Sequence, residues 1–416
     1  MDDVASVPTP GRYRALFATP HARRLTASAL VARLPMGMVP LALLLVVRDG
    51  GGSYGAAGLV SGSYLVSAGI GSPVAGRLMD RRGAARILLR RALLSPLALL
   101  AAGGLAVAGA PLVAIGGCAA VAGALLPPVG AALRTLWPRL LEGTNLRTTA
   151  YALEASLQEI FFVVGPLLVA LAAGLLAPVA GLAIAAAAGA IGTTVFATTP
   201  PVRAWRPDEA HASAGRAGAL GAIGVRTIVL FGVCCGLAFG GAEVGMPAFA
   251  EAHGSAALGG VPLALFAAGS LVGGLVVGAR TTREPRSLMR ISSVLLAIGL
   301  APLLLAPSLA VLAVLAFVAG LPIAPSFAAA YGLLDRVAAR GTHAEAFAWI
   351  GTAVSAGLAA GAALGGVAID EWGVDAAFTL GCGGAALAAL VAAYGPGLGV
   401  LARSETAGGS ERASQS

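Results

Sequence analysis

The chain has 416 residues, 58% of them apolar and only 11% charged, with a mean hydropathy of +0.88. No soluble domain strings together so many nearly uncharged runs of ~20 residues, so the composition describes a helical protein that crosses a membrane repeatedly. The net charge of +8 sits on short segments between those runs. There it reads as a set of topology determinants facing an anionic leaflet, and nucleic acid is not an expected partner.

All 27 basic residues are arginine. Without a lysine, no nucleotide-binding loop of the Gly-x-x-x-x-Gly-Lys type can form. Cys118, Cys234, Cys235 and Cys382 fall inside apolar runs without ligand spacing, so they read as packing residues. No metal, cofactor or catalytic group is expected.

Residues 1–24 carry arginines but no separate apolar core with a cleavage site, so the first apolar run is expected to be helix 1 rather than a signal peptide. The apolar runs predict helices over 25–47, 54–76, 87–107, 112–135, 148–174 and 178–198. A second set covers 224–249, 259–279, 289–306, 309–333, 343–368 and 375–395. Arginines fill the N-terminal tail, 77–86, 134–147, 199–223, 280–290, 334–342 and the C-terminal tail. The alternate loops near 108–111, 175–177, 251–258, 307–308 and 369–374 have none, and Arg33 and Arg48 break the pattern. Both termini are therefore expected in the cytoplasm.

The polar segment 199–223 divides the helices six and six. That gives an N-terminal tail (1–24), a first bundle (25–198), a cytoplasmic linker (199–223), a second bundle (224–395) and a C-terminal tail (396–416). The halves repeat one another. Ala150-Tyr151-Ala152, Gly165 and Leu168 recur as Ala346-Phe347-Ala348, Gly361 and Leu364, and Pro128 is matched by Pro325. The loop 278–286 echoes the arginine-rich loop 76–86, but without its aspartate. Internal repeats of this kind build many secondary transporters, with the substrate site between the repeats.

The loop 76–86 is the most specific signal. Gly76, Leu78, Asp80, Arg81 and Gly83 resemble the loop between helices 2 and 3 of the major facilitator superfamily, and with twelve helices and a two-fold repeat the resemblance covers nearly the whole chain. It implies an all-α integral membrane fold of twelve transmembrane helices in two six-helix bundles related by pseudo-two-fold symmetry, around a cavity that opens alternately to each side. It also implies that the loop packs on the start of helix 11 when the cytoplasmic side is closed. Gly76, Asp80, Arg81 and Gly83 are thus candidates for a cytoplasmic gate, completed by Arg134 or Arg139; the alternative is a purely topogenic cluster. Gly165-Pro166 resembles the antiporter signature of drug-exporting members, although the family's earlier glycines are here Ala152 and Phe161 and the later pair is Val169-Ala170. The family's mid-helix-4 arginine is missing, Arg134 being placed at the helix end.

Ionisable residues inside a spanning helix are costly and mark candidate sites. Glu159 lies roughly 16 Å into helix 5 at 1.5 Å per residue, and Arg33 at a similar depth in helix 1; the resemblance implies that these two helices are neighbours, so a pair between them is expected. A static ion pair, a proton-coupling carboxylate and a substrate ligand all remain open. Glu154 shares a helix face with Gln158 and could instead neutralise a loop arginine. Glu243, among glycines and Pro247 near the outer end of helix 7, is a candidate outer gate or proton site, the alternative being an ordinary interfacial acid. Tyr64, Gln158, Phe161, Phe162 and Trp349 are candidates to line the cavity. So few polar groups suit an apolar or weakly polar substrate.

The expectation is a proton-coupled exporter of a small amphipathic compound, multi-pass in the bacterial inner membrane and monomeric, with protons and lipid as partners. The alternative is a proton-coupled importer or facilitator of a small nutrient such as a sugar or metabolite; a third class is a transport-inactive scaffold or sensor.

Overall fold

The computed structural model describes residues 9–206, 217–254, 258–280 and 284–398. The outermost tails, the middle of the linker and Arg283 lie outside those residues. In the first half, α1 covers Thr9–Ala18, α2 Ala22–Asp49, α3 Tyr54–Arg82, α4 Ala84–Val107, α5 Leu112–Ala124, α6 Val129–Leu140, α7 Arg147–Leu175 and α8 Pro178–Ala197. A short α9, Pro200–Arg203, opens the linker. The second half has α10 over Ile223–Ala252, α11 Gly260–Arg280, α12 Pro285–Leu300, α13 Leu309–Gly320, α14 Ile323–Val337, α15 His343–Trp372 and α16 Val374–Tyr394.

Among the described residues, 11 helical segments are long and apolar enough to cross a membrane. The twelfth is α3, whose 29 residues suffice in length, although its glycines, serines and terminal arginines dilute its hydropathy. Local chemistry sets the ends. Ser53 caps α3 by accepting the Ala56 N–H, and Glu284 caps α12 by accepting the Ser287 N–H, with Pro285 in the first turn.

Helices 4 and 10 were expected to be continuous, and both are broken. Pro127 and Pro128 lack an N–H and disfavour the α conformation before them, so α5 ends at Ala124 and α6 starts at Val129. Leu321-Pro322 separates α13 from α14 in the same way. Backbone carbonyls freed in a bilayer need new donors. At the first break the buried Arg91 guanidinium on α4 donates to Ala124 O at 2.9 Å and Leu126 O at 3.1 Å, and Ser95 Oγ donates to Ala122 O at 2.8 Å.

Within each half the packing repeats. α2 lies on α7 and α8 as α10 lies on α15 and α16, and α3 lies on α5 as α11 lies on α13. The halves meet along two equivalent seams, α3 against α15 and α11 against α7. Further contacts join α14 to α7 and α6 to α15. The helix ends that meet there belong to the arginine-rich loops. Tyr151, Tyr331 and Phe347 form an aromatic cluster across that end, with ring centroids 6.1–6.2 Å apart.

Candidate functional site

The first seam is built on Gly83 and Asp80. Gly83 has φ +83° and donates its N–H to Met79 O, so α3 stops and α4 begins within one residue. A side chain is strained in that conformation. The turn leaves Asp80 buried, with Oδ1 accepting the Ala344 N–H at 3.2 Å and Oδ2 accepting the Glu345 N–H at 3.0 Å. These are two of the four free N–H groups in the first turn of α15. Thr342, at the N-cap position, makes no side-chain cap; its hydroxyl donates to Ala339 O. Asp80 thus supplies from the other half the cap that α15 lacks, where the helix dipole also favours a negative charge.

Gly76 makes this approach possible, since a Cβ there would lie 2.6 Å from Ala344 O and 2.7 Å from Glu345 Cα. Farther along the seam, Thr352 Oγ1 donates to Gly69 O at 2.7 Å. Arg77 Nε stands 3.9 Å from Glu345 Oε2. Arg81 lies on the exposed side of α3. Arg134 does not join this group; Arg139 is the helix-4 cation whose charge acts on Asp80, and it also lies over the Trp205 ring at 5.3 Å.

Arg134 belongs to a second, deeper cluster. Glu154 on α7 is fully buried and takes a bidentate pair from Arg33 on α2, Nη1 to Oε2 at 3.1 Å and Nη2 to Oε1 at 3.2 Å. Arg33 Nε donates to Ala29 O. Arg134 Nε stands 4.0 Å from Glu154 Oε2, and its guanidinium lies over the Tyr331 ring, 4.0 Å from the centroid. Arg134 is therefore buried in this deeper cluster rather than part of the gate at the end of helix 4. The expected Arg33–Glu159 pair is replaced by Arg33–Glu154. Five helical residues turn the side chain by about 140°, and it is Glu154 that faces α2 and α6.

Glu159 faces the other half and accepts the Ser270 Oγ–H of α11 at 2.8 Å. No cation lies within 4.0 Å of it among the described residues. Glu243 is exposed on α10 and close enough for its charge to act on Glu159. Glu159 is one rung of the second seam. Ser156 Oγ donates to Leu271 O at 3.4 Å and Thr149 Oγ1 to Gly278 O at 2.7 Å.

The cavity candidates separate. Tyr64 is 2% exposed and packed among first-half side chains such as Met38, Val39 and Leu99, so it lines no open space. Phe161 is also buried, beneath the Arg33 guanidinium at 5.7 Å. Phe162 is 45% exposed, and Gln158 and Trp349 are half-buried. The Trp349 Nε1–H has no hydrogen-bond partner among the described residues. Gly165 lies where α7 crosses α2, its Cβ position 2.8 Å from the Gly37 carbonyl carbon.

Sequence reasoning missed Ser270, Thr352 and Arg91. Ser270 and Thr352 gave no signal among apolar neighbours. Arg91 did, as an arginine one turn inside a run with Ser95 four residues on, opposite a Pro-Pro break.

A sequence profile of the Major Facilitator Superfamily matches residues 25–279 and 228–408. No curated protein sequence matches significantly. Among solved structures, the human organic anion transporter MFSD10 (TETRAN) superposes with a TM-score of 0.71 at 15% identity, covering 90% of this chain and 99% of that one. A bacterial homologue of the iron transporter ferroportin, in an outward-facing state, gives 0.68 at 15% identity over 89% and 98%. The proton:xylose symporter XylE bound to 6-bromo-6-deoxy-D-glucose gives 0.67 at 14% identity over 88% and 94%. At these identities the likeness fixes the fold alone.

Proposed function

The chain belongs to the major facilitator superfamily, whose members are transporters rather than enzymes, and on that premise we propose that it is a proton-coupled exporter of a small amphipathic molecule, close to the drug/proton antiporter branch. The arginine-rich end faces the cytoplasm, by the distribution of arginine, in a bacterial inner membrane. In the conformation described, the Asp80 cap, the α7–α11 rungs and the aromatic cluster close that end. Asp80, Gly76 and Gly83 act as its gate, and the two six-helix halves rock about the substrate.

The observation that carries proton coupling is Glu159, an acid of the first half held by a hydroxyl of the second half, with no cation within 4.0 Å among the described residues. Opening the α7–α11 seam withdraws Ser270 and changes what solvates the carboxylate. Burial favours the neutral acid and donors or water favour the anion, so proton uptake and release follow the seam. The exposed Phe162 and half-buried Gln158 and Trp349 offer an apolar surface with few polar anchors, which suits an amphipathic substrate.

The test is a substrate screen in proteoliposomes with an imposed pH gradient. Accumulation of amphipathic compounds against their gradient, collapsing when the pH gradient is dissipated, is the expected result. Uphill movement of sugars or other polar nutrients in the proton's direction would contradict it.

A further inference from the structure

The two seams are equivalent by the internal repeat, yet only one carries the aspartate. The position in the echo loop that matches Asp80 is Thr282, which lies outside the described residues. At the second seam another element stands across the junction. α1 inserts Leu16, fully buried, into the core, and Arg12, 5% exposed, fastens the helix to the first half. Its Nε donates to Thr149 Oγ1 at 3.1 Å, and its Nη2 donates to Asn145 O. That same Thr149 hydroxyl passes its own hydrogen to Gly278 O on α11. One residue on, the Tyr13 hydroxyl reaches the second half directly and donates to Leu275 O at 3.0 Å. Gly278 is what admits it, since a Cβ there would collide with the Tyr13 hydroxyl and come within 2.8 Å of Ala152 Cβ.

We propose that α1 is a strap that holds the α7–α11 seam closed at the cytoplasmic end, with Arg12 and Tyr13 as positioning residues that do for this seam what Asp80 does for the other. Arg12 keeps α1 on the first half through the cycle. The Tyr13–Leu275 bond is the one that breaks when the cytoplasmic side opens, and Thr149 links its fate to Gly278. Burial pushes the Tyr13 phenol up to about 12, so it remains a hydrogen-bond donor throughout the physiological range. The inference rests on the alternating-access reading above.

The test uses the full-length protein with its four cysteines replaced and Ser156→Cys as reporter, because Ser156 is buried inside the seam. A membrane-impermeant maleimide is applied to inverted vesicles and, separately, to right-side-out vesicles. Tyr13→Phe removes only the hydroxyl and is expected to speed labelling from the cytoplasmic side about fivefold, the population shift that one lost hydrogen bond allows. Arg12→Gln should do at least as much. Labelling from the outer side should not rise, whereas a general loosening of the fold would raise both. Asp80→Asn, which weakens the other seam, serves as the reference. A rise with Asp80→Asn but none with Tyr13→Phe or Arg12→Gln overturns the strap alone. No rise with any of the three overturns the strap and the gated cycle together.

Discussion

Glu154 and Glu159 stand on the same helix, five residues apart, in opposite surroundings. Glu154 is fully buried between two arginines of its own half, while Glu159 holds a single hydroxyl of the other half. The first arrangement survives any rigid movement of one half against the other, because α2, α6 and α7 travel together. The second cannot. The contrast separates a carboxylate paired inside one bundle from one bonded across the two bundles.

The largest effect should come from the first arrangement. Arg33→Ala strands a buried carboxylate with only Arg134 beside it, and breaking such a pair costs about 3–5 kcal/mol. A sharply lower melting temperature in detergent is expected, with transport lost along with the fold. Glu159→Gln should melt close to the wild type. Equal melting of Arg33→Ala and the wild type would remove the distinction between the two acids.

Asp80→Asn comes next. The amide can still accept one N–H of α15 but not two, and it loses the attraction of the helix dipole, together about 1–2 kcal/mol. The fold should survive while the closed cytoplasmic state loses roughly tenfold in population. Slower turnover and greater cysteine accessibility at that end are the readouts. Wild-type turnover with unchanged accessibility would make the loop merely topogenic.

How far these sites could be read from the sequence follows the kind of information each needed. Apolar runs, with arginine at one end, located the spanning segments, because the bilayer imposes one length and one polarity on all of them. The Asp80 loop was legible because its glycines and charges are contiguous. The Arg33 pairing was not. Counting residues gives depth along a helix, but which neighbour a side chain meets depends on its angle, and Glu154 and Glu159 differ by about 140°. Pro127 and Pro128 signalled the break in helix 4, yet only Arg91 on a different helix shows how the freed carbonyls are satisfied. Thr9–Ala18 reads in the sequence as an arginine-bearing tail, because the partners of Arg12 and Tyr13 lie more than a hundred residues away in the chain.

Ser270→Ala is the smallest change that still separates the two acids. It deletes the only hydrogen bond to Glu159 among the described residues and leaves the Glu154 cluster untouched. A loss of about 1 kcal/mol from the seam is expected, with an unchanged melting temperature and a displaced pH dependence of uphill transport. An unchanged pH profile would mean that the seam does not set the proton affinity of Glu159.

The most direct test compares two modes of transport in Glu159→Gln proteoliposomes, using a compound found by the pH-gradient screen. Exchange of labelled for unlabelled compound needs both halves to move but needs no net proton transfer. Exchange should therefore persist near the wild-type rate while accumulation driven by a pH gradient disappears. A Glu159→Gln protein that still accumulates the compound uphill, with the wild-type pH dependence, would contradict the account.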